Sequence, residues 1–180
     1  IIAVSLNEKK IVWKFQDILH DLWDYDIAHP PIISNLKFGD KFFPAVITVG
    51  KTGNVIILNR YNGKNLFDID YKKVEKSKIP FENSSQYQIN IKSPKRLIEL
   101  DDIKNRIYKY SDKLDDSIKY DLENSNFGEF KPPKYGQNTI ILGLHGGATW
   151  PGSSFNPIDF NLFTPINMIP FVLRIDGKTK

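Results

Sequence analysis

Across residues 1–67, short apolar runs alternate with turn signals, the pattern of an antiparallel sheet. Ile1-Ile2-Ala3-Val4 reads as a strand already in progress. Gly39-Asp40 marks a tight turn between runs at 32–38 and 42–49. The β-branched runs 45–49 and 54–58 are joined by Gly50-Lys51-Thr52-Gly53, a short hairpin connection with glycine where a positive φ is called for. Asn62-Gly63 marks a further turn before Leu66-Phe67. These hairpin-like connections predict one all-β meander.

Leu6-Asn7 and Leu58-Asn59 each follow a strand and precede a polar turn and a large aromatic, Trp13 and Phe67 respectively. Such an echo fits repeated sheet modules such as propeller blades, in which an aromatic near each turn docks against the next module. Residues 68–98 are polar, contain Pro80 and Pro94 and hold no sustained period, so they read as a surface loop. From Ile98 the apolar residues Ile103, Ile107, Leu114, Ile118 and Leu122 recur at helical spacing. Asp101 and Asp102 supply negative charge where a helix starts, and Ser111-Asp112 is a candidate break between two short helices. A helical insertion near 99–123, packed through its apolar stripe onto the sheet, is therefore expected. Phe130-Lys131-Pro132-Pro133 ends it, β character resumes at 139–142, and 158–163 and the run from Phe171 read as further strands.

Composition narrows this picture. The chain has 180 residues, 41% hydrophobic and 13% aromatic, enough for one globular domain and too apolar for general disorder. Its 25 Lys and Arg against 21 acids give a net charge of +4, and the lysines are dispersed among Asp, Asn and Ile. A dispersed charge describes a solvated surface, and no nucleic-acid partner is expected. With no cysteine, disulfides, zinc-thiolate sites and thiol catalysis are excluded. The first residues carry neither a signal peptide nor a membrane span, and both ends read as cut, so the chain is expected to be an internal segment of a longer protein.

Candidate chemistry concentrates in two places. His20-Asp21-Leu22-Trp23-Asp24-Tyr25-Asp26 packs three carboxylates and an imidazole around two large aromatics, a grouping suited to holding a cation or moving a proton. Gly143-Leu144-His145-Gly146-Gly147-Ala148-Thr149-Trp150-Pro151-Gly152 lets backbone approach something closely and offers an indole face. It lacks the Gly-Lys-Ser/Thr ending of a phosphate loop.

With these residues in order, the sequence resembles the pyrroloquinoline quinone (PQQ)-dependent dehydrogenases of the glucose, quinate and polyol type. Gln16, the 20–26 cluster and Pro30-Pro31 are followed by Lys51-Thr52-Gly53-Asn54, Leu58-Asn59-Arg60 and Asn62-Gly63. Phe130-Lys131-Pro132-Pro133, Thr139-Ile140-Ile141 and Gly146-Gly147-Ala148-Thr149-Trp150 continue the match over roughly residues 1–175, most weakly at 68–128. The resemblance implies an all-β fold, here a partial eight-bladed β-propeller of about two to three blades forming a single incomplete domain over 1–180, with 68–135 as loop and helical insertion. It implies PQQ with Ca2+ or Mg2+ as cofactors, a sugar or polyol substrate and ubiquinone as electron acceptor. It also implies a periplasmic location, with membrane attachment through regions outside this chain.

Residue by residue, Asp24 matches the family's catalytic base and is a possible metal ligand, with most ligands outside the chain. Lys51 matches the basic residue that hydrogen-bonds the quinone carbonyls. Trp150 reads either as a wall of the cofactor pocket or as blade packing. The family's His-His pair is Leu19-His20 here, so one imidazole is missing, and His20 is either supporting or structural. Asp21 and Asp26 read as structural or capping carboxylates, His145 as structural, and Arg60 as ion-paired within its blade. Two rival readings stand beside this one. A non-catalytic propeller scaffold or ligand-binding module has no need for Asp24 and Lys51 to meet. A metal-dependent hydrolase needs His20, Asp21, Asp24 and Asp26 to converge from one extended segment, which alternation opposes.

Overall fold

The computed structural model describes residues 1–99 and 112–176. Among the described residues eleven short strands and one helix follow one another as β1 (Ile2–Ser5), β2 (Lys10–Lys14), β3 (Ile32–Phe38), β4 (Lys41–Val49), β5 (Val55–Asn59), β6 (Ile69–Lys73), β7 (Tyr87–Ile91), α1 (Asp112–Asn124), β8 (Asn138–Ile141), β9 (Ser154–Asn156), β10 (Asn161–Phe163) and β11 (Phe171–Arg174). They form a mostly β chain of small antiparallel sheets, as expected of a partial propeller: β1-β2, β3-β4-β5, β6-β7, β8-β11 and β9-β10.

The β3-β4-β5 sheet is the meander expected from its glycine turns. Ile47 lies opposite both Ile32 and Ile57, and Val49 opposite Val55, so β-branched pairs line the central strand. The expected single meander over 1–67 is instead divided: β1 and β2 form their own hairpin, and the irregular run 16–31 separates it from β3. The two modules are joined by Trp13, whose ring lies over Gly63 and whose Nε1–H donates to the Arg60 carbonyl at 2.9 Å. Phe67 stands edge-on to Phe38 and packs against the core of the three-stranded sheet. Both aromatics of the echo thus dock on neighbouring structure.

The surface loop expected at 68–98 is corrected. It contains the β6-β7 hairpin, in which Ile69 lies opposite Ile91 and Tyr71 opposite Ile89, and Ile89, Ile91 and Ile98 are buried. Each strand has only five residues and charged neighbours, so alternation is too short to register as a period. The helical insertion exists in part as α1. Ile118 and Leu122 are half-buried, and Asn138 reaches Asp121 from β8 at 3.5 Å. The stripe positions Ile103 and Ile107, the side chain of Leu114, the acids Asp101 and Asp102 and the candidate break at Ser111 lie outside the described residues. At 158–163 only Asn161–Phe163 is strand, and it pairs with β9, which the sequence pattern did not announce.

The core nearest the candidate site gathers Ile18, Trp23, Tyr25, Ile98, Phe130, Ile141 and Leu142. Trp23 stacks on Tyr25 at 5.9 Å, and Phe130 meets both edge-on at 5.3 and 6.1 Å. Trp23 Nε1–H donates to the Lys131 carbonyl at 2.8 Å, so an interior indole has its polar atom satisfied. These aromatics fasten segment 20–26 to the Phe-Lys-Pro-Pro segment over a separation of 108 residues.

Candidate functional site

Segment 21–26 is built by alternation and by one carboxylate. Asp21 Oδ1 accepts the Trp23 N–H at 2.8 Å and Oδ2 the Tyr25 N–H at 2.7 Å, which fixes the chain's course and spends both oxygens on backbone. Trp23 and Tyr25 then point inward, 3% and 2% exposed. Asp24 and Asp26 point outward on the opposite face. Asp24 sits at φ 61, a left-handed conformation that aspartate tolerates better than most side chains.

Lys51 comes to this face from the β4-β5 turn. Its Nζ lies 2.7 Å from Asp24 Oδ2 and 2.6 Å from Asp26 Oδ1. The lysine side chain is 7% exposed, whereas both carboxylates are about half-exposed. Its own N–H donates to the Asp26 carbonyl at 3.2 Å, so Asp26 holds the residue at backbone and head alike. Asp24 Oδ2 also accepts the Leu144 N–H at 2.8 Å from the glycine-rich segment. Burial pushes the Asp24 carboxyl up, but the Lys51 hydrogen bond, the Leu144 amide and the Lys51 and His145 charges outweigh it and hold the group below its ordinary value. Burial lowers the Lys51 ammonium, and its hydrogen bonds and charge attraction to Asp24 and Asp26 reverse this, raising it above its ordinary value. The pair is therefore charged at neutral pH. Among the described residues Asp24 Oδ1 has no hydrogen-bond partner.

The glycines of 143–147 serve this site by making room for backbone. A Cβ on Gly143 would stand 1.8 Å from the Trp23 carbonyl oxygen. At Gly147, with φ 77, it would stand 1.9 Å from the Lys51 carbonyl oxygen. The close approach inferred from the glycine cluster is thus made to the chain's own site segments. Trp150, beyond them, is 76% exposed and touches neither Asp24 nor Lys51 among the described contacts. The next turn is pinned by Ser153, whose Oγ lies 3.2 Å from His29 Nδ1 and 2.8 Å from Thr164 Oγ1.

Other candidates disperse. His20 pairs with Glu82 at 2.5 Å, away from the ammonium, which gives it a structural role. Asp21 is a capping carboxylate, as expected. Asp26, expected to be a structural or capping carboxylate, is a second partner of Lys51. The signal that would have found it is its two-residue spacing from Asp24, with the core aromatics Trp23 and Tyr25 interleaved. Arg60, expected to ion-pair, lies with its guanidinium over Tyr61 at 5.4 Å, with no salt bridge among the described residues. With His20 and Asp21 otherwise engaged, the hydrolase arrangement is not formed. Among the described residues no three His, Asp or Glu side chains are grouped to hold a metal ion.

The family model for the PQQ β-propeller domain of glucose, ethanol and alcohol dehydrogenases matches residues 1–180. The chain belongs to the PQQ-dependent dehydrogenase family. Quinoprotein glucose dehydrogenase A of Acinetobacter calcoaceticus is 27% identical over 186 residues, covering 97% of this chain and 23% of that protein. The glycerol dehydrogenase large subunit of Gluconobacter thailandicus is 27% identical, covering 100% of this chain and 25% of that protein. The quinate/shikimate dehydrogenase (quinone) of Acinetobacter baylyi is 25% identical, covering 91% and 20%. The chain thus spans about a quarter or less of the length of these PQQ dehydrogenases. No solved structure matches it. Among the described residues no helix is long and apolar enough to cross a membrane.

Proposed function

We propose that this chain supplies the proton-accepting and quinone-binding edge of a PQQ-dependent dehydrogenase acting on a sugar, polyol or other alcohol. The observation that carries the reading is the meeting of Asp24 and Lys51 at 2.7 Å across 27 residues of chain. The residues fit the cofactor by their donor set. An ammonium has three N–H donors; Asp24 and Asp26 take two, and the third would serve a quinone oxygen. Trp150 is a pocket wall in this reading.

When bound, PQQ supplies an electrophilic carbonyl that accepts a hydride. Asp24 removes the substrate hydroxyl proton through Oδ1, the oxygen left uncommitted by Lys51 and Leu144. Lys51 would offer its remaining N–H and its positive charge to quinone oxygens as they become negative. The Leu144 amide and Lys51 fix Asp24 Oδ2, so the carboxylate is held in one orientation while Oδ1 works. Asp24 is also a candidate ligand for Ca2+ or Mg2+, whose oxygen preference suits a carboxylate, with the other ligands supplied from beyond the described residues. Electron delivery to ubiquinone and a periplasmic location, with membrane attachment through other regions, complete the proposal by analogy with the family.

Reconstitution tests it. The whole protein that carries this segment, incubated with PQQ and Ca2+ or Mg2+, should reduce an artificial dye when given aldoses or polyols. Absence of PQQ-dependent dye reduction across both substrate classes and both metals would sink the enzyme reading.

A further inference from the structure

Beneath the Lys51 turn lies a carboxylate that the mechanism above does not use. Asp17 is 3% exposed. Its Oδ1 accepts the Asn54 Nδ2–H at 3.1 Å, and its Oδ2 is buried with no hydrogen-bond partner among the described residues. That oxygen faces the backbone of Gly50: a Cβ placed there would lie 2.6 Å from Asp17 Oδ2 and 3.6 Å from Thr52 Oγ1. Thr52 Oγ1 is the second buried polar atom of the turn without a partner. Two orphaned oxygens thus flank Gly50, immediately beside Lys51.

A half-satisfied buried carboxylate is an expensive way to make one hydrogen bond. Burial drives its titration up to about 6, against the lowering effects of the Asn54 hydrogen bond and the Arg96 charge, while the Asp21 charge raises it. An asparagine would accept the same bond without that cost. What the carboxylate adds is an acceptor-only group with a charge-assisted bond, which leaves the Asn54 amide one orientation. Asn54 Nδ2 turns to Asp17, and Asn54 Oδ1 accepts Arg96 Nε–H at 3.2 Å. Arg96 is itself anchored on Glu129. The backbone of Asn54 closes the turn, accepting the Gly50 N–H at 3.0 Å, and Gly50 in turn accepts the Gly53 N–H at 2.8 Å.

We propose that Asp17 is a positioning residue for Lys51, its carboxylate fixing the Gly50 to Asn54 turn so that the ammonium stands between Asp24, Asp26 and the quinone. The inference rests on the functional reading above for the last of these partners. The Lys51 peptide is then gripped from every side: Asp17 under Gly50, the Asp26 carbonyl on its N–H, and Gly147 against its carbonyl.

The test uses the whole protein with Asp17→Asn and Asp17→Ala substitutions and two readouts, PQQ affinity of the apoprotein by titration and amide exchange of the peptide covering the turn. Asp17→Asn keeps size and an acceptor, so it folds. It should weaken PQQ binding by about tenfold, the scale set by small misplacements of a site group. Exchange of the Gly50 and Gly53 amides should rise by a similar factor, with a larger effect on both readouts in Asp17→Ala if that variant folds. Wild-type PQQ affinity in Asp17→Asn overturns the proposal, as does unchanged amide exchange. Faster exchange in a protein whose wild type binds no PQQ overturns the functional reading and leaves the hold of Asp17 on Lys51 standing.

Discussion

Lys51 divides one positive charge between two carboxylates, which on the proposed reading sets how good a base Asp24 is. A carboxylate given sole possession of a buried ammonium binds it more tightly and accepts a proton less readily. Asp26→Asn should therefore lower kcat by roughly five- to tenfold, a fraction of the range for a general base, while the fold stays intact. Steady-state kinetics against circular dichroism checks this. Asp17 gives a pH dependence of opposite sense to an ordinary ion pair. Its folded value of about 6 exceeds the ordinary 3.8, so the protonated form is favoured by folding. Its contribution is present below about pH 4 and is lost as pH rises toward 6. Asp17→Asn should match wild type in stability near pH 4 and exceed it above pH 6 by on the order of 3 kcal/mol, read by urea unfolding at each pH. That Asp24 and Lys51 come together was legible in the sequence through motif order and spacing. Asp17 was not, because a buried acid between Gln16 and Ile18 looks like any turn carboxylate until the chain folds over it.

At the scale of elements, the site depends on segments that carry none of its chemistry. The β6-β7 hairpin sends Gln88, 0% exposed, to hold both the N–H and the carbonyl of Leu19 at 2.8 and 2.7 Å, steadying the entry to segment 20–26. That hairpin went unread because five-residue strands of mixed polarity hold too few periods. The three-stranded sheet was readable because its turns carry glycine and its strands are β-branched. The glycine-rich segment was recognised for close approach, yet composition alone does not say what is approached. Gly147→Ala should show the answer. Its Cβ would meet the Lys51 carbonyl at a left-handed φ of 77, so the variant should lose roughly 2 kcal/mol or more of stability and weaken PQQ binding together. Chemical unfolding and cofactor titration on the same preparation measure the two effects.

For the whole molecule, small sheets are joined by docked aromatics, Trp13 on Gly63 and the Trp23, Tyr25 and Phe130 group, instead of by one continuous sheet. This arrangement follows from modular sheets that each bury one face against a neighbour. It also explains how residues 27 and 120 positions from Asp24 reach one carboxylate. The modular echo was visible in the sequence through Leu6-Asn7 and Leu58-Asn59, but the division of 1–67 into two sheets was not, since periodicity reports strands and not their partners. The proposed role of Asp24 as the base of a PQQ-dependent alcohol oxidation is tested by the kcat of Asp24→Asn in the whole protein, saturated with PQQ and Ca2+ or Mg2+ and supplied with the aldose or polyol that wild type oxidises. A proton-accepting Asp24 requires a fall of about 10²- to 10⁴-fold with PQQ still bound. Turnover equal to wild type would contradict it.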